Sequence, residues 1–372
     1  MISKEYKSCK NVGFKSIVIM VVFNLIHLAM GVDVGEIQKI DPNKISDELA
    51  MLSAATKTNY EKIKTLQGEV SFESMIIYRG TYAADLVKRH AGITIKEPNE
   101  LAQRTEGTTE FKIDLKKNLF FKQMNRPKPI EYIDLDKGIA YTSSEKSFER
   151  MGIINSKYTI ESYPYTRNKD RAILTSTAHK RLRQNPEIIT DNSDARIGFN
   201  IGRPVWELLT QFSDGLRRYN KGDVDTFYNV VLEKEQTAKG IIYRMHLANP
   251  RESQPFEKFI LDGEKGFNPT YIEIKNDKGI TISEITTDFI EIQGIFLPSK
   301  RYVLQYDGND GRLRRSSNTT FNYAQVNTTL PENTFSLSNL GLKNDDRFID
   351  EIEGKEYKYK DASLIFVADV NK

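Results

Sequence analysis

From Gly107 onward the chain is a succession of short apolar-polar alternations broken by glycine, asparagine and aspartate, and that pattern leaves few architectures open. Phe111, Ile113 and Leu115 alternate, Lys116, Lys117 and Asn118 can turn, and residues 119–124 can return as the partner. Residues 130–135 and 138–142 flank a second turn at Asp136, Lys137 and Gly138. Residues 225–233 pair with 240–248, and 256–262 follow. Residues 271–275 and 280–289 flank Asn276, Asp277, Lys278 and Gly279, while 301–306 and 313–326 flank the turn from Asp307 to Gly311. About a dozen strands joined by turns this short predict antiparallel meanders in a mainly β (α+β) chain, because parallel strands need long crossovers.

Helical periodicity occurs in few places. Asp41 and Pro42 supply a cap and a first-turn proline, after which Ile45, Leu49, Leu52 and Ile63 share a face bordered by Tyr60, predicting an amphipathic helix over 42–65. Val70, Phe72, Ile76 and Tyr78 then alternate as a strand. A second helix begins at Pro204 and gathers Val205, Leu208, Leu209, Phe212, Leu216 and Tyr219 into one stripe, with Trp206 at its edge. Residues 172–184 are a third, weaker helix candidate. Residues 79–106 and 163–200 show no clear period and read as surface insertions in a single domain spanning 32–372.

The first 31 residues read as a secretory signal peptide. Lys4, Lys7, Lys10 and Lys15 precede an uncharged run over 16–32, and Ala29, Met30 and Gly31 place small residues at the cleavage positions, so the mature chain starts at Val32. The alternative is an uncleaved anchor, although Asn24 and His27 interrupt a run already short for a span. Cys9, the one cysteine among 372 residues, lies in this leader, so the exported chain has no disulfide and relies on an ordinary core. The 54 Lys and Arg against 51 Asp and Glu become 50 against 50 once the four leader lysines and Glu5 are removed. That balance gives no footprint for nucleic acid and no attraction to an anionic membrane surface. The expected location is periplasmic or secreted, with no integral membrane span after cleavage.

No motif establishes a catalytic reaction, a cofactor or a metal site. His90, His179 and His246 have no second histidine or cysteine at ligand spacing, and His246 shares a strand face with Arg244 opposite Tyr243, Met245 and Leu247. His179 with Lys180, Arg181 and Arg183 is either a solvated helix face or a site for phosphate or lipid headgroups. The segment from Asp307 to Gly311 lacks the ligands of a calcium loop and reads as a turn. Asp134 with Asp136, and Asp223 with Asp225, are carboxylate pairs without a visible partner across a cleft. Asn318 and Asn327 each begin a glycosylation-like triplet.

What remains is apolar surface on the sheet: Val70, Phe72 and Ile76, then Phe111 and Ile113, then Tyr243, Met245 and Leu247, with Phe259 and Leu261 beside them. Leu209, Phe212 and Trp206 stand on the helix able to cover it. These residues form either a core or an apolar groove with the helices as a lid. An acyl chain gains about 0.8 kcal/mol per buried CH₂, so a long chain contributes on the order of 10 kcal/mol without any polar contact.

Residues 42–78, running through Lys64, Thr65, Leu66, Gln67 and Gly68 into the first strand, resemble the opening of the bacterial outer-membrane lipoprotein-carrier-like (LolA/LolB-like) superfamily. Phe259 to Asp262, Lys265 to Pro269, Ile292 to Pro298 and Phe335 to Leu337 are similar to its later half, so the resemblance covers roughly 42–78 and 224–337. It implies an antiparallel sheet curved into an incomplete barrel and covered by two or three amphipathic helices. It also implies a nonenzymatic role, with a lipid or an acylated protein as partner. An interaction protein of the envelope, using the same fold to bind a protein or polysaccharide, is the alternative.

Overall fold

The computed structural model of the protein describes residues 36–92, 94, 100–117, 119–126, 129–143, 148–154, 158–163, 177–182, 204–224, 228–248 and 255–370. The proposed leader over 1–31 lies outside them. The described chain is mainly β, with three α-helices and one large curved sheet that does not close.

Asp41 caps a 3-10 turn, Pro42–Lys44, by accepting from the Asn43 backbone N–H at 3.0 Å, and this turn leads into α1, Ile45–Glu61. The helix ends earlier than its periodicity predicts, because Ile63 packs beneath the sheet and the chain extends into β2, Thr65–Arg79. The strand β1, Ile37–Lys39, precedes α1. Residues 79–106, expected to be irregular, hold α2, Thr81–Ala91, and the first half of β3, Glu100–Asp114. Ala83, Leu86 and Val87 give α2 a buried face, and Gly92, at φ 67°, ends it in the left-handed conformation that glycine tolerates.

β4 is Leu119–Arg126, β5 Glu131–Asp134, β6 Ile139–Thr142, β7 Phe148–Ile154 and β8 Tyr158–Tyr163. The helix expected over 172–184 is instead a strand, β9, Thr177–Leu182. It pairs antiparallel with β8 and parallel with a strand from the C-terminal tail, partners that the local sequence does not contain. α3, Val205–Asn220, follows Pro204 as predicted, although Tyr219 at the end of its stripe is 47% exposed.

The later meander is β10, Asn229–Thr237; β11, Gly240–Ala248; β12, Pro255–Asp262; β13, Asn268–Lys275; β14, Thr281–Ile292; β15, Ile295–Tyr306; and β16, Leu313–Val326. Its turns follow side-chain chemistry. Asn276 Oδ1 accepts from the Lys278 and Ile280 N–H groups, and Asp307 Oδ1 accepts from Asn309 N–H at 2.9 Å, which makes the calcium-like segment a hairpin turn. The tail adds β17, Arg347–Asp350; β18, Lys355–Lys360; and β19, Ser363–Asp369. The described residues therefore hold nineteen strands where the sequence predicts about a dozen.

Hydrogen-bonded neighbours run from β1 through β10 to β16, then to β2, β3, β4, β7, β8, β9, β17, β18 and β19. β5 and β6 branch from the far end of β3. One face, here the inner face, carries α1 and α3 at one end and α2 at the other. On the opposite face Phe121, Ile153 and Ile160 pack against Leu340, Phe348 and Tyr359 of the tail, a separate small core.

Candidate functional site

Strand register defines the inner face. One row runs directly across from Leu232 to Met245, Phe259, Ile272, Ile285 and Val303, and then to Ser317, Ser74 and Thr105. Every residue in such a row points to the same side. The row is apolar from β10 to β15 and becomes polar at β16, β2 and β3.

All the sheet residues predicted to line a groove lie on this face, eight of the ten in two clusters. Tyr243, Met245, Leu247, Phe259 and Leu261 pack with Leu209 and Phe212 of α3 and with Leu49 and Leu52 of α1. Val70, Phe111 and Ile113 pack with Phe120, Phe289, Leu297 and Phe321, and Trp206 borders them. Phe72 and Ile76 are half-buried farther along β2, outside both clusters. The face is filled by helix side chains in this conformation, as Leu209, Met245 and Leu261 are fully buried.

The two helices are attached differently. α1 is hydrogen-bonded to the sheet: Asn59 Nδ2 donates to the Phe296 carbonyl at 3.0 Å, its Oδ1 accepts from Phe296 N–H at 2.9 Å, and Tyr243 Oη donates to Glu48 at 2.9 Å. Burial, and then the Glu48 carboxylate, push the Tyr243 phenol up and keep it protonated. α3 is bonded to α1. Ser53 Oγ donates to the Trp206 carbonyl at 2.8 Å and meets Thr210 Oγ1 at 2.7 Å, Ser213 Oγ donates to the Ser46 carbonyl at 2.7 Å, and Arg217 donates to Asp47 at 3.0 Å. The Trp206 ring rests 4.5 Å from that of Tyr60.

A charged residue stands on the same face. Arg301 of β15 lies opposite Thr287 on β14 and Thr319 on β16 and is only 7% exposed. Its Nε is buried without a hydrogen-bond partner. Burial pushes its guanidinium down to about 10, which leaves it charged at neutral pH. Tyr302, Leu304 and Tyr306 form the apolar parity of β15, yet they face the outer side, where Tyr306 and Tyr271 both donate to the Glu284 carboxylate. The signal that reveals Arg301 is register: Val303, its neighbour on the same parity, belongs to the inner row.

The chain resembles DUF1329 and LolA superfamily proteins. It aligns with a DUF1329 family protein from Desulfovibrio piger at a TM-score of 0.38 and 11% identity, over 81% of this chain and 100% of that one. An outer membrane lipoprotein-sorting protein domain from Vibrio parahaemolyticus aligns at 0.36 and 10%, over 79% and 99%. A LolA superfamily protein from Nitrosomonas europaea aligns at 0.32 and 10%, over 77% and 99%. No protein-family model and no curated protein matches the sequence. The functional reading therefore rests on the chain's own geometry.

Several of the remaining sequence candidates have partners within the chain. Asp134 is fully buried at a turn, where it accepts from the Asp136 and Lys137 N–H groups and pairs with Lys137 Nζ at 2.7 Å. Asp225 lies outside the described residues. Lys180 and Arg181, read from the sequence as a solvated helix face or a headgroup site, lie on β9 and pair with Asp350 at 2.6 Å and Glu351 at 2.8 Å of the tail. His246 faces the outer side beside Glu233, in a depression of about 200 Å³ that Lys258 and Glu273 also line, and burial pushes its imidazole down. A second outer depression of about 410 Å³ lies over Ser71, Glu73 and Thr320. Among the described residues no group of three His, Cys, Asp or Glu side chains is placed to hold a metal, and no helix is long and apolar enough to cross a membrane.

Proposed function

We propose that the protein is exported and binds an apolar ligand, the acyl chain of a lipid or of an acylated protein, beneath α3 on the inner face, without catalysing a reaction. The observation that carries this reading is the attachment of α3. Val205, Leu208, Leu209 and Phe212 pack into the apolar cluster that α1 shares with β10 to β13, while the hydrogen bonds described above join α3 to α1. Burying four such side chains is worth on the order of 10 kcal/mol, similar to what a long acyl chain gains on the same surface. A ligand chain can therefore take the place of the helix face, and the α1 bonds keep the displaced lid tethered.

Native mass spectrometry of the protein from its own host, followed by lipid extraction, tests the reading. A co-purifying acylated species is expected, together with saturable fatty-acid binding by lipid-free protein. Absence of binding by lipid-free protein ends the carrier reading.

One observation favours the second reading, an envelope interaction protein. β19 is an edge strand on which Ile365 and Phe366 are 49% and 53% exposed, and an unpaired apolar edge is a template for a partner strand.

A further inference from the structure

The inner face holds a cation that the chain does not neutralise. Among the described residues no carboxylate pairs with Arg301, and its Nε is buried without a partner. Removing a guanidinium from water without a counter-charge is strongly unfavourable, and an aliphatic side chain such as that of Val303, next on the same face, would pack there at no such cost. The neighbours of Arg301 are hydroxyls, Thr287 and Thr319, both buried. Thr109 lies in the adjacent row, across Val70 and Phe321, and its Oγ1 is likewise buried without a partner. That adjacent row belongs to the apolar cluster of Val70 and Phe321.

We propose that Arg301 anchors the anionic head of an amphiphilic ligand, a carboxylate or phosphate, whose acyl chain lies on the apolar part of the same face. The proposal rests on the carrier reading and names the ligand class within it. A planar guanidinium donates two parallel hydrogen bonds to either oxyanion, and buried charge-assisted bonds of this kind are stronger than neutral ones. Thr287 and Thr319 supply further hydroxyl donors beside it. The ligand's charge then neutralises Arg301, so an acid is preferred over its neutral ester although both carry the same chain.

Lipid-free protein is titrated calorimetrically with palmitate, with methyl palmitate and with inorganic phosphate, for the wild type, Arg301→Met and Arg301→Lys. The wild type should bind palmitate at least about tenfold more tightly than methyl palmitate, and phosphate alone should bind far more weakly. Arg301→Met should retain methyl palmitate binding, lose the preference for the acid, and melt above the ligand-free wild type. Arg301→Lys, which keeps the charge without the fork, should show a narrowed preference, and it carries the test if Arg301→Met does not fold. Equal wild-type affinity for acid and ester, or an unchanged preference in Arg301→Lys, overturns the role of Arg301 and leaves the carrier reading standing. Binding of neither lipid ends the carrier reading itself. Phosphate bound as tightly as palmitate, and lost in Arg301→Met, assigns the site to a free anion and overturns the amphiphile.

Discussion

Gly68 is the position where one added methyl group meets the least room. A Cβ there would lie 2.1 Å from the Asn322 carbonyl oxygen, beside the irregularity in β16 between Tyr323 and Gln325. The obstacle is backbone, so relief requires separating β2 from β16. Gly68→Ala should cost about 1–3 kcal/mol in urea denaturation, and a change within experimental error would show that the two strands give way freely. Asp350 makes a residue-scale prediction about pH. Burial by itself raises its carboxyl, but the Lys180 ammonium and the Ile352 and Glu353 N–H groups outweigh burial and hold it below the ordinary carboxylate value. A depressed native value contributes stability above the unfolded value and loses it as pH falls through the native one. Asp350→Asn should therefore lower the melting temperature at pH 7, with the gap to wild type narrowing at acid pH as the native carboxyl becomes protonated. A gap of equal size at neutral and acid pH would show that the ion pair contributes nothing.

At the scale of elements, α3 is distinguished by what it holds on to. Its bonds from Ser53, Thr210 and Ser213 join it to α1, and α1 is fastened to the sheet through Asn59. If α3 is a lid, Leu209→Glu and Phe212→Glu should leave the β-sheet circular dichroism intact while abolishing the change in fluorescence of Trp206, the one tryptophan of the chain, on fatty-acid addition. If α3 is simply core, the same substitutions bury an unpaired charge and unfold the protein, at a cost of several kcal/mol. Leu209→Ala, which introduces no charge into a fully buried site, should cost about 2–5 kcal/mol under either reading, so it calibrates the comparison. β9 shows how an element escapes local reading. Thr177 to Leu182 carries no decisive period, and its structure comes from β8 and from β17, whose Asp350 is 170 residues from Lys180.

For the whole molecule, a single cysteine, Cys9, leaves no pair for a disulfide within the chain, so stability is expected from the packed faces. Thermal unfolding of the mature protein should be the same with and without reductant and chelator, and a shift of several degrees on chelation would mean that a metal contributes. Export carries its own check: N-terminal sequencing of protein from the native host should begin at Val32, and an intact Met1 in the exported material would refute cleavage. Part of the outer face is covered as well, because the tail from Leu340 to Tyr359 builds its own core against Phe121 and Ile153.

Much of this architecture is legible from residue order alone. Alternation and turn chemistry locate the meander from β10 to β16, capping and a 3.6-residue period locate α1 and α3, and the same alternation selects Met245, Phe259, Val70 and Phe111 as one apolar face. These features are local, encoded within a few residues of where they appear. Tertiary structure decided the rest. A groove and a core share one periodicity, so only packing shows that Leu209 and Phe212 fill the face between the helices and the sheet. The inward placement of Arg301 depends on the register of β15 against β14 and β16, and on the Tyr271, Tyr306 and Glu284 cluster that receives the strand's apolar side on the outer face. Strand pairing is non-local: a residue's partners lie on neighbouring strands, and no window along the chain contains them.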